Sequence, residues 1–260
     1  VTAAAVNTLV ENKNAIKAPG GLIILSAQAA SRLQSGVVNN SGTIEATNLV
    51  SRAGRILLEA SSSILNSGTI SAANSFPDSG TAPVVTAEIG RISIQTDTFT
   101  QTSTGLLDVS AVARQAGSID IVAAQAMSIS GRIFANGLVT DPTQIVTKAL
   151  GGAIQLQASR RVDLTTAVLD ASGEGGGGRI HIQADGAPAP INNPADSPAQ
   201  TPVKGVVLLS TNTVLRANST RAQAGRVEVE GDDITLDTGT RIEATGATAG
   251  GIVLVGGDWQ

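Results

Sequence analysis

The chain has 260 residues, with 17 Lys and Arg against 21 Asp and Glu, a net charge of −4, no Cys, and only 3 Phe and 1 Trp for aromatics. That balance, with no basic run, argues against nucleic acid as a partner, and the missing Cys removes disulfides and thiolate metal sites. No apolar stretch reaches the 18 or more residues of a membrane-spanning helix. Val1 opens no signal-peptide pattern, so the chain reads as a piece of a longer precursor.

In chain order, the organising feature is a glycine with apolar residues two and four places after it. It first reads Gly21-Leu-Ile23-Ile-Leu25 and recurs at Gly54, Gly90, Gly117, Gly152, Gly178, Gly225 and Gly251. The first apolar members are Ile23, Ile56, Ile92, Ile119, Ile154, Ile180, Val227 and Val253. Between the copies runs a second ladder, an apolar residue and a small one two places on, from Ile16/Ala18 and Ile44/Ala46 through Leu107/Val109 and Leu169/Ala171 to Ile242/Ala244. A weaker apolar pair sits between these ladders, clearest as Met127/Ile129, Val162/Leu164, Val207/Leu209 and Ile234/Leu236. The unit is about 26 residues, a period at which each copy must bury its apolar face on its neighbours.

Spacing by two is the period of a strand rather than a helix. The prediction is a single all-β domain over residues 1–260: a single-stranded parallel β-helix, or solenoid, with three short strands per coil and about eight to nine coils. At about 4.8 Å per coil the rod is roughly 40 Å long. Ile, Leu and Val point inward, and Arg, Gln, Glu and Ser point outward. Asn12, Asn40 and Asn66 recur once per coil. Stacked there, their amides can hydrogen-bond along the rod at a turn whose φ > 0 suits Asn.

Extra residues interrupt the period at about Gln28 to Gly36, Asn74 to Glu88, Gly137 to Leu150 and Asp185 to Lys204. The last holds five of the nine prolines. Proline offers no donor to a ladder, so residues 185–204 are expected as a surface loop insertion.

No motif for catalysis, cofactor or metal emerges. His181 falls at an outward position stacked between Gln155 and Glu228, with Gln157, Gln183 and Glu230 beside it. A His next to a Glu suits acid–base work, but a solvated polar stripe explains it better. Arg55 with Arg91, and Arg179 with Arg226, share another outward position and suit an anionic glycan; pairing with nearby Glu and Gln is the simpler expectation. The Asp232-Asp233 doublet points its carboxylates apart, without the oxygen cluster of a calcium site. Gly173-Glu-Gly-Gly-Gly-Gly178 lacks the Lys-Ser/Thr of a phosphate loop and reads as a turn. Thr96, Thr98, Thr100, Thr102 and Thr104 alternate, but equivalent places in other coils hold Ser, Ala and Gln, so no flat Thr array of the ice-binding kind is expected.

Three stretches carry a family resemblance. Val10-Glu-Asn12-Lys-Asn14-Ala-Ile16-Lys-Ala18, Val37-Val-Asn-Asn40-Ser-Gly42-Thr-Ile44-Glu-Ala46 and Leu65-Asn66-Ser-Gly68-Thr-Ile70-Ser-Ala72 resemble the repeats of filamentous-haemagglutinin-type exoproteins, as does the closing Gly251-Ile-Val-Leu-Val-Gly-Gly-Asp-Trp259-Gln. The resemblance implies a right-handed parallel β-helix, export through an outer-membrane partner by two-partner secretion in a Gram-negative bacterium, and a place at the cell surface in adhesion or matrix formation. The secretion domain typical of that family is not identifiable, so export rests on analogy. The expected function is a non-catalytic, rigid stalk of a secreted fibrous adhesin. The alternative is a self-assembling fibre or matrix subunit, with a polysaccharide-active enzyme third. The expected partners are copies of itself or flanking coils end to end, and host or matrix glycans and proteins at the loops.

Overall fold

In a computed structural model of the chain, residues 8–28, 35–47, 53–74, 89–139, 149–186 and 203–257 are described. Their regular structure is β throughout, with no helix, and every strand pair is parallel. Two long sheets of 14 and 8 strands carry nearly all of it, the arrangement of a parallel β-solenoid.

The glycine ladder forms one face. Leu22–Ala27, Arg55–Ala60, Arg91–Gln101, Ser118–Ile129, Ala153–Ala158, Arg179–Ala184, Arg226–Gly231 and Ile252–Gly256 stack in that order. The register aligns Ile23, Ile56, Ile92, Ile119, Ile154, Ile180, Val227 and Val253 in one column. From Ile23 to Val227 these side chains are 6% exposed or less. Val253 departs from the expected interior: it is 44% exposed, because among the described residues no strand lies over Ile252–Gly256.

The second ladder forms the 8-stranded sheet, aligning Ile16, Ile44, Ile70, Leu107, Ile133, Leu169, Leu215 and Ile242. The third runs from Thr8–Asn12 through Gly36–Asn40, Ser63–Asn66, the ends of Arg91–Gln101 and Ser118–Ile129, Arg161–Thr165 and Val206–Ser210 to Asp233–Leu236.

One inward slot of that third face changes chemistry along the stack. Its occupants, in register, are Asn12, Asn40, Asn66, Gln101, Ile129, Leu164, Leu209 and Leu236. The asparagines are buried, and the Asn12 amide donates to Asn40 Oδ1 at 2.8 Å and the Asn40 amide to Asn66 Oδ1 at 2.9 Å. The expected turn conformation is corrected. These residues lie in extended strands, and among the described residues the non-glycine ones with positive φ are Ala113, Thr166 and Asn212. The asparagine column is therefore the polar end of the same interior slot that Ile and Leu fill farther on.

The glycines are required by close stacking rather than by φ. A Cβ on Gly152 would stand 2.0 Å from the carbonyl oxygen of Gly117, and one on Gly178, 2.1 Å from that of Gly152. The same N–H groups close the corner: Gly152 donates to Ala135 O at 2.8 Å and Gly225 to Ala217 O at 2.7 Å. Small residues end the second ladder because the next glycine folds back onto their carbonyls.

The insertions are narrower than the sequence spacing suggests. Gly36 begins a strand, and Gly137–Leu138 pairs with Ala111–Val112. The remaining inserted stretches, at 29–34, 75–88, 140–148 and 187–202, lie outside the described residues, as does Trp259.

Candidate functional site

Outward side chains of the glycine-ladder strands bring several ionisable groups together. Alternation directs Arg179, His181 and Gln183 of one strand, and Arg226, Glu228 and Glu230 of the next, to the same surface. The register sets Gln155, His181 and Glu228 in one column, Gln157, Gln183 and Glu230 in the next, and Arg179 opposite Arg226.

Glu228 is the centre of this group and is 4% exposed. Arg226 donates to its Oε1 through Nε at 2.6 Å, and Arg179 reaches across from the neighbouring strand to Oε2. Burial works against ionising Glu228, and the hydrogen bonds from Arg226 and Arg179 outweigh it, holding the carboxyl below its ordinary value. A carboxylate bound by two guanidiniums is a poor proton acceptor. It ties adjacent strands together.

His181 corrects the expectation of a solvated stripe. Its side chain is 17% exposed, with Nε2 3.5 Å from Glu230 Oε2. The imidazole and carboxylate form an ion pair only when the ring is protonated. Elsewhere the outward charges pair locally: Arg91 with Asp120 at 3.0 Å, Arg161 with Asp163 at 2.7 Å, and Lys17 with Glu45 at 2.9 Å. The Lys17 hydrogen bond is the chief cause holding the Glu45 carboxyl below its ordinary value. Asp232 accepts the Gly205 N–H at 2.7 Å, while Asp233 pairs with Lys204 at 3.2 Å. The doublet's carboxylates thus serve two different partners, and among the described residues no group of three or more His, Asp or Glu could hold a metal ion. The Gly173–Gly178 run is a corner, in which the Gly176 N–H donates to Gly173 O and the Gly177 N–H to Gln223 O.

A shallow groove of about 540 Å³ runs beside these side chains. Its floor is the stacked backbone of Gly117, Gly152, Gly178 and Gly225, and Arg179 and Arg226 stand on its rim. Both guanidiniums are already engaged by Glu228.

A polar column at the corners escaped the sequence reading. In Leu107-Asp108-Val109-Ser110 the Asp108 carboxylate accepts the Ser110 N–H at 2.9 Å, and Ser110 Oγ accepts the Asn136 N–H of the next layer at 3.1 Å. Leu169-Asp170-Ala171-Ser172 repeats this, with Asp170 on the Ser172 N–H and Ser172 on the Asn218 N–H. The Asn218 side chain in turn accepts from Thr245 N at 2.8 Å. The paired Leu-Asp-small-Ser motif was the available signal.

Comparison of the chain with protein-family models, with curated proteins and with solved structures finds no match.

Proposed function

We propose that the chain is a non-catalytic shaft segment of a secreted, fibrous bacterial surface protein. It is a right-handed parallel β-helix of three strands per coil and about eight coils, of the filamentous-haemagglutinin type that its asparagine repeats resemble. In this reading it is exported by two-partner secretion in a Gram-negative bacterium, and its job is to be long, stiff and resistant to proteolysis while other parts make contacts.

The observation that carries the reading is the unbroken interior: three apolar ladders, buried from Ile23 to Val227 on the first face, with every layer hydrogen-bonded to the next. Stability of such a stack is a sum over neighbouring layers, which suits an element whose output is length. The ionisable cluster favours the same view, since Glu228 is consumed in pairing with Arg179 and Arg226.

Limited proteolysis of the purified chain, together with a screen against acidic and neutral polysaccharides, tests this function. The expected result is that the ladder strands survive digestion and no sugar is released. Digestion through the ladder strands, or turnover of any polysaccharide, would overturn it.

A further inference from the structure

One outward column of the glycine-ladder strands gathers positive charge beside the groove. In register it reads Arg55, Arg91, Ser118, Ala153, Arg179 and Arg226. Like charges directly opposite on neighbouring strands repel, yet arginines stand together twice, with the small Ser118 and Ala153 between the pairs.

Glu228 offsets only part of the second pair. Arg226 spends Nε and one terminal nitrogen on its Oε1, and Arg179 spends one terminal nitrogen on its Oε2. A guanidinium has more N–H groups than these bonds use, and neither arginine makes another hydrogen bond among the described residues. Their side chains remain 57% and 41% exposed. Two guanidiniums against one carboxylate leave a net positive charge and free donors on the rim, and the buried carboxylate fixes both arginines in place.

The floor offers nothing polar. The N–H groups of Gly117, Gly152, Gly178 and Gly225 donate to Val109, Ala135, Ala171 and Ala217, and the same glycines' carbonyls accept from Ala153, Arg179, Arg226 and Ile252. An extended peptide laid there would bury its own backbone polar groups against partners already taken. A sugar ring instead has an apolar C–H face to rest on flat backbone and turns its hydroxyls to water. Successive layers rise by about 4.8 Å, close to the length of one sugar unit in an extended chain.

We propose that this groove binds an acidic polysaccharide, laid along the rod with its rings on the glycine floor and its carboxylates on Arg179 and Arg226. Guanidiniums suit that role, because their planar donor edge matches a carboxylate at two points. The site goes beyond the shaft reading, since the contact is made on the flank of the shaft itself.

Calorimetric titration of the purified chain with polygalacturonate tests the site, with the same polymer methyl-esterified as its neutral counterpart. The acid polymer should bind, less tightly as salt rises, and the ester should not. Ser118→Glu and Ala153→Glu each set a carboxylate in the groove at an outward position and leave Ile119 and Ile154 in the interior. Each should keep the parent's circular dichroism and weaken binding about tenfold or more, the worth of one charge-assisted contact. Thr69→Glu makes the same charge change on the other sheet and should bind as the parent does. Absence of binding at low salt, equal binding of the ester, parent-like binding by both groove variants, or an equal loss in Thr69→Glu would overturn the proposal. Any of these leaves the shaft reading standing, whereas sugar released during the titration would sink that reading and leave the site.

Discussion

Replacing Gly152 with Ala should be among the most damaging single-methyl additions the chain can receive. The added Cβ would stand 2.0 Å from the Gly117 carbonyl oxygen and 3.1 Å from the Ala135 Cβ. Carbon and oxygen in contact normally keep about 3.3–3.6 Å, so the layers must part by more than an ångström. Three hydrogen bonds converge there: Gly152 N to Ala135 O at 2.8 Å, Ala153 N to Gly117 O at 3.0 Å, and Arg179 N to Gly152 O at 2.9 Å. Each buried backbone group left unpaired costs about 1–3 kcal/mol, so orphaning one group in each of the three bonds should cost about 3–9 kcal/mol. Gly250→Ala is the matched control. Nothing lies within 4 Å of its would-be Cβ and its φ is not positive, so the change should be neutral or stabilising by about 0.4–1 kcal/mol through the unfolded chain. Guanidinium chloride unfolding followed by circular dichroism measures both. A Gly152→Ala protein within about 1 kcal/mol of the parent, or a Gly250→Ala protein equally damaged, would refute the stacking account of the glycine column.

Ile154→Asp and Ile180→Asp each place a charge in a fully packed column and should cost several kcal/mol, while outward His181→Ala should cost under about 1 kcal/mol in the same assay; equal losses would reverse the inward and outward faces. Asn40→Leu should cost about 1–3 kcal/mol, because it orphans an amide of Asn12 and the Oδ1 of Asn66, whereas changing Asn12, Asn40 and Asn66 together to Leu removes both sides of each bond and should cost less per site. The lowered Glu228 carboxyl stabilises the fold fully above its unfolded-state value of 4.5, and that contribution fades as pH falls through the lower folded value. Acid titration of stability should therefore be flatter in Glu228→Gln, and an unchanged profile would show that the arginine pairing carries no linkage.

Much of the fold was legible because a solenoid writes its geometry into a period. Ile119, Ile154 and Ile180 share a column, and the sequence spacing places them there without any knowledge of their contacts. The interior identity of Asn12, Asn40 and Asn66 was harder to see, since an asparagine beside Ser-Gly is equally the mark of a turn. Only the register, running on through Gln101 to Ile129, reveals the slot as part of the core. Glu228 was misleading for a related reason. Its outward position follows from alternation, but Arg179 and Arg226 lie down over it and bury it, an effect that depends on long side chains in adjacent layers. Val253 fits the repeat yet is 44% exposed, whereas Ile23, also in an end strand of that face, is 6% exposed, so the period alone does not tell which end member is buried.

If layers are interchangeable units of length, a whole one can be removed and the rest will still stack. Deleting residues 153–178 joins Gly152 to Arg179, so that Arg179 takes the place of Ala153, its register partner one layer back. Small-angle scattering on the intact and shortened chains should show a folded particle whose longest dimension falls by about 4.8 Å, one layer spacing. An unfolded product, or a folded one of unchanged length, would contradict it.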